Sequence, residues 1–129
     1  IKIPLNKKIN AYELYIKTQK AHVELIRKSI KDIIDNNVQF FDQDESKATY
    51  WSGRKPADGE ILENMSLSYA EKLVRATTKP YPGAFCFIED EKYIIWEAQI
   101  SREVPSKDQK YLKFNEGFLI FTKFEKEKI

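Results

Sequence analysis

From Asn10 to Asn37 the chain runs without proline or glycine, while apolar or small residues recur as Ala11, Leu14, Thr18, Ala21, Leu25, Ser29 and Ile33. That spacing follows the 3.6-residue period of an α-helix, and Ile26, Ile30 and Ile34 widen the stripe. The stretch predicts one long amphipathic helix. Asn10 with Glu13 three residues on has the form of a reciprocal N-terminal cap, and Asn36-Asn37 can take the left-handed conformation that ends a helix. Lys17, Lys20, Arg27, Lys28 and Lys31 lie off the stripe and form either a weakly basic face or a solvated one, with solvation the leading reading.

The next stretch, Phe40 to Glu60, is punctuated by Asp42, Asp44, Ser46, Gly53, Pro56, Asp58 and Gly59, and predicts a long connection with little regular structure. Because Phe40, Phe41, Tyr50 and Trp51 are costly to leave in water, their rings are expected to pin it down. A second helix is expected over about Leu67 to Ala76, capped by Ser68 with Glu71, and stopped by Lys79-Pro80-Tyr81-Pro82-Gly83. Ala84 to Ile88 and Lys92 to Gln99 flank the turn Glu89-Asp90-Glu91; Tyr111 to Phe114 and Phe118 to Phe124 flank Asn115-Glu116-Gly117. Both pairs read as hairpins, so the last third is an antiparallel sheet and the fold class is α+β. The tail Glu125-Lys126-Glu127-Lys128 is expected to fray.

Composition narrows the function. A chain of 129 residues is enough for a domain, or a domain with a helical appendage. The single cysteine, Cys86, has no partner in the chain, which points to a reducing compartment and away from zinc. No apolar run approaches the roughly 20 residues of a membrane span, and no signal peptide opens the chain, so a cytoplasmic location without a membrane partner is expected. With 22 basic against 20 acidic side chains the net charge of +2 is too balanced to advertise a nucleic-acid partner. Ile1-Lys2-Ile3-Pro4-Leu5 begins without Met and reads as a strand entered partway, which suggests a fragment with polypeptide upstream.

The side chains offer no complete catalytic set. His22, the one histidine, lies beside the apolar stripe, where a packed or hydrogen-bonded helix residue is the leading reading over a general base. Cys86 sits in a predicted strand with no histidine in the same region and reads as core. The glycines at 53, 59, 83 and 117 are scattered and build no phosphate loop, and Asp42 with Asp44 reads as a solvated loop pair. What stands out is Tyr50-Trp51-Ser52-Gly53-Arg54: a guanidinium that can pair bidentately with a carboxylate or phosphate, beside rings that can stack on a base or pterin-like ring. An anchored loop explains the same cluster equally well.

Four blocks together carry a resemblance: Ala48-Thr49-Tyr50-Trp51-Ser52-Gly53-Arg54-Lys55-Pro56-Ala57-Asp58-Gly59-Glu60-Ile61, then Leu73-Val74-Arg75-Ala76, Pro80-Tyr81-Pro82-Gly83-Ala84-Phe85, and Ile95-Trp96-Glu97-Ala98. In content and spacing this resembles the folate-dependent formyltransferases. The resemblance implies that residues 1–38, a strand plus the long helix, are the end of a Rossmann-like catalytic domain. Residues 39–62 are then a connecting loop and 63–129 the post-catalytic C-terminal domain. Within the family the Tyr-Trp-x-x-Arg-x-Pro-x-Asp-Gly block and Pro-Tyr-Pro-Gly-Ala-Phe are more similar to the sugar-nucleotide N-formyltransferases, including the aminoarabinose branch, than to the methionyl-tRNA formyltransferases. About thirty residues follow Ile95-Trp96-Glu97-Ala98, short for the tRNA enzyme's barrel, and the charge balance agrees with the sugar branch. Leu62-Glu63 stands where the family usually has Asp-Trp.

The resemblance implies transfer of a formyl group from formyltetrahydrofolate to the amine of a nucleotide-linked amino sugar, with an Asn-x-His pair and a later Asp managing protons and the oxyanion. Lys20 occupies the asparagine's place relative to His22, so His22 does not inherit that role; the catalytic set is expected upstream, leaving this segment inactive alone. Arg54 is the leading substrate-binding candidate, followed by Tyr50 and Trp51. Arg75 and the Tyr81-Pro82-Gly83 turn also match the family but lean toward folding roles. Exposed strand edges at the C-terminal end allow a homodimer. A methionyl-tRNA enzyme and a non-catalytic interaction module are the alternatives.

Overall fold

A computed structural model describes residues 1–128, the side chain of Lys128 excepted. Helix α1 spans Ala11–Ile34 and opens on the expected reciprocal cap: the Asn10 side chain accepts from the Glu13 N–H at 2.9 Å, and Glu13 accepts from the Asn10 N–H at 3.4 Å. It closes with Asn36 at φ 51°, while the N–H groups of Asn36 and Asn37 donate to Ile33 and Asp32, the pairing of a Schellman motif. Both ends are therefore determined locally. Yet no α1 residue is buried, and its packing is against the second helix. Within this chain Ile1–Leu5 lies outside the sheet.

The second helix, α2, spans Leu67–Thr77 and corrects the expected cap. Ser66, not Ser68, accepts from the Tyr69 N–H, at 3.2 Å, and Glu71 turns instead to Arg75. Starting the helix there places Leu67, Ala70 and Val74 on one buried face. Strands β1 (Ala84–Ile88), β2 (Glu91–Ser101), β3 (Tyr111–Phe114) and β4 (Gly117–Lys128) form an antiparallel sheet in the order β1-β2-β4-β3. The β1–β2 turn is shorter than predicted, with only Glu89 and Asp90 outside the strands, both at positive φ. α2 covers one face of the sheet, and its buried residues meet Ala84, Cys86, Tyr93, Ile95, Leu119 and Phe121.

The charged tail does not fray. β4 continues to Lys128 opposite Glu91, and the ladder is reinforced by Lys126–Glu91 at 2.6 Å and Lys92–Glu127 at 2.9 Å. The alternation of Lys and Glu thus matches charges already present on β2. A hydrogen bond from the Lys126 ammonium holds the Glu91 carboxyl below its ordinary range.

The connection between the helices is fixed by a different device from the one expected. Phe40, Phe41, Tyr50 and Trp51 are 82–86% exposed and pin nothing. The anchor is the far end, where a 3-10 turn over Pro56–Gly59 delivers Gly59 and Ile61 into buried positions. The Ile61 N–H donates to the Phe85 carbonyl at 2.7 Å, and a Cβ on Gly59 would stand 2.8 Å from the Gly83 carbonyl oxygen. Backbone against backbone holds the loop, and only a glycine permits that approach.

Candidate functional site

The docked loop, the first turns of α1 and one side of α2 enclose an open cleft of about 1010 Å³. Arg54 and Lys55 enter it from the loop, Tyr69 and Lys72 from α2, Tyr81 and Pro82 from the turn after α2, and Leu14, Tyr15 and Thr18 from α1. Tyr69 and Lys72 share a helix face because they are three residues apart.

Charge in the cleft is one-sided. Among the lining residues Asp58 is the one carboxylate, and it accepts from the Lys55 backbone N–H at 2.8 Å; Glu71, outside the lining, is held by Arg75 at 2.6 Å and 3.1 Å. Arg54, Lys55 and Lys72 make no ion pair among the described residues. Cations beside half-exposed Tyr15, Tyr69 and Tyr81 suit an anionic molecule that carries a ring.

The sequence-predicted residues separate here. Arg54 lines the cleft; Tyr50 and Trp51 do not, and remain 85% and 84% exposed. The Tyr50 hydroxyl donates to Glu45 at 2.9 Å, a contact within the connection itself. A Cβ on Gly53 would meet nothing within 4 Å, so no close approach requires glycine there. His22 lies exposed on α1 rather than packed at the stripe edge. Cys86 is core as expected: it is 2% exposed, and burial pushes its thiol up to about 12, which suits no nucleophile. Among the described residues, no three metal-ligating side chains come together.

Sequence reasoning passed over Lys55, Lys72 and Tyr69 as site residues and leaned toward a folding role for Tyr81. The i, i+3 placement of Tyr69 and Lys72 was a usable signal, but the loop that faces them reaches the cleft only through its docking on β1. Arg75, read as leaning toward folding, binds Glu71 and donates to the Ile9 carbonyl at 2.7 Å, and it also lines the cleft.

Residues 54–125 match the model of the formyl transferase C-terminal domain. Over 113 residues, 88% of the chain, it is 34% identical to the bifunctional polymyxin resistance protein ArnA of Wigglesworthia glossinidia brevipalpis, and the match covers 17% of that protein. A methionyl-tRNA formyltransferase structure from Clostridium thermocellum superimposes with a TM-score of 0.52 at 18% identity, covering 77% of this chain and 37% of that one; it shares the fold. The chain thus spans well under half the length of either relative. No helix among the described residues is long and apolar enough to cross a membrane. With the family model matching more than half of its residues, the chain belongs to the formyl transferase C-terminal domain family.

Proposed function

We propose that this chain is the C-terminal part of a cytoplasmic formyltransferase that transfers a formyl group from formyltetrahydrofolate to the amine of a nucleotide-linked amino sugar. The observation that carries the choice of branch is the 34% identity along 88% of the chain to a polymyxin resistance protein, against a likeness of fold alone to the tRNA enzyme. It agrees with the sugar-branch character of the block that contains Arg54.

Chemistry in this reading is divided between two parts of one polypeptide. A neutral amine attacking a formyl carbon needs a base and donors for the tetrahedral oxyanion, and those groups belong to upstream polypeptide. Formyltetrahydrofolate supplies the one-carbon unit and is bound mainly there. The residues of this chain bind and orient. Arg54 offers a planar fork to a phosphate or carboxylate, with Lys55 and Lys72 extending the positive rim and Tyr69 and Tyr81 offering ring faces. The mixture of cations and rings suits the charged end of either the nucleotide-linked sugar or the folate. Tyr50 and Trp51, exposed on the same connection, are available to upstream polypeptide or to substrate. The paired β4 tail and short β3 leave strand edges through which a homodimer could form.

The test is an assay of the intact enzyme with formyltetrahydrofolate and either an amino-sugar nucleotide or charged initiator tRNA. Turnover with the sugar nucleotide is expected; turnover with tRNA alone would replace this reading by the tRNA one, and turnover with neither would favour a non-catalytic interaction module. Arg54→Ala is expected to lower kcat/KM by at least tenfold with an unchanged unfolding midpoint, about 1.4 kcal/mol of lost transition-state binding. Unaltered kinetics would return Arg54 to an anchoring role.

A further inference from the structure

Arg75 has three points of attachment, and only two are on its own helix. Its Nε meets Glu71 Oε1 at 2.6 Å and its Nη2 meets Glu71 Oε2 at 3.1 Å, one helical turn back, which fixes the plane of the guanidinium. The remaining arm, Nη1, donates to the Ile9 carbonyl at 2.7 Å, 66 residues away in sequence and immediately before the Asn10 cap of α1. Both side chains of the pair are 23% exposed, so water competes little for them.

We infer that Arg75 is a positioning residue: held in plane by Glu71, it pins the Ile9 carbonyl and sets the direction in which α1 leaves the sheet-bearing half, and with it the width of the cleft. The proposal goes beyond the assignment of substrate and does not depend on it.

Within this chain, apolar burial does not fix α1. No residue of the helix is buried, and it packs against α2. The hydrogen bonds near its start are otherwise local: Lys8 and Ile9 to Asn6, Asn10 with Glu13, and Thr18 to Leu14. A direction fixed at Ile9 is amplified along the helix. At 1.5 Å per residue α1 is about 36 Å long, so a tilt of about 20° displaces its far end by about 12 Å. Its near end, with Ala11, Leu14 and Tyr15, lines the cleft opposite Arg54 and α2.

Pulsed electron paramagnetic resonance on this chain reads the angle directly. Nitroxide labels at Lys31→Cys and Lys113→Cys, both exposed sites, report the distance from the far part of α1 to β3, while the buried Cys86 thiol stays unlabelled. The parent is expected to give one narrow distance distribution. Arg75→Ala should broaden or displace it by about 10 Å, the lever-arm scale above, with helix content and unfolding midpoint retained. Arg75→Lys, whose single ammonium cannot serve Glu71 and Ile9 in the same geometry, should fall between the two. A broad parent distribution, or an Arg75→Ala distribution like the parent's, would overturn the inference. Should Arg75→Ala fail to fold, Glu71→Gln is read instead: broadening supports the pin, and a parent-like distribution overturns it.

Discussion

The two helices carry the same kind of apolar pattern and end in opposite environments. α2, with 11 residues, buries Leu67, Ala70 and Val74 to 3% exposure or less. α1, more than twice as long, buries none, and leaves Ile26 at 60% and Ile34 at 75%. The difference lies in what each helix faces. α2 lies across a sheet whose inner side supplies Ile95, Leu119 and Phe121; within this chain α1 buries no residue against the sheet and packs on the flank of α2. An amphipathic stripe measures what a helix can bury, and a partner surface decides whether it does. α1 persists on local terms, with a reciprocal cap, a Schellman end and an i, i+4 pair between Glu24 and Lys28. Such terms are worth tenths of a kcal/mol to about one each, so α1 should open well before the sheet does.

Substitutions can break this contrast. The largest effect is expected in the sheet: Ile95→Ala, at a fully buried position, should cost about 2–5 kcal/mol in urea unfolding. A loss below about 1 kcal/mol would mean that the core is not where burial places it. Gly83→Ala comes next, at about 1–3 kcal/mol, because Gly83 has φ 91° and its new Cβ would stand 2.6 Å from the Ile94 side chain. A variant as stable as the parent would show that the turn can shift aside.

The third effect appears only at alkaline pH. Burial raises the Cys86 thiol from 9.0 to about 12, so the folded state keeps a proton that the unfolded chain releases. The contribution is complete below pH 9 and declines as pH rises toward 12, a loss that Cys86→Ala should abolish in stability measured across that window. Equal alkaline losses in the two proteins would assign the effect to other groups. The smallest change is expected on α1, where Ile26→Ala should alter stability by less than about 0.5 kcal/mol. A cost like that of Ile95 would show that something covers α1 in solution.

The contrast also explains where reading residues in order succeeded. The limits of α1, the hairpins and the core place of Cys86 follow from caps, turns and alternation, all of them interactions within a few residues. The cap of α2 was read at Ser68 and lies at Ser66, a start that turns Leu67 inward. The aromatic connection failed for another reason. Ring size predicts what burial would be worth, not whether a surface is within reach, and within this chain Gly59 and Ile61, not the rings, are the residues that dock. Arg54 was legible as a site candidate from its chemistry; Lys72 and Tyr69 became its neighbours only when the loop docked on β1.

By itself the sequence determined the α+β class, the caps of α1, the strand pairs and the family, because each is written in short-range spacing or in blocks read along the chain. Tertiary structure alone decided that the α1 stripe finds no cover within this chain, that the Lys-Glu tail is a strand, and that cations from a loop and a helix share one cleft. Those outcomes depend on contacts between residues far apart in the chain, and such contacts exist only once the backbone has been brought together.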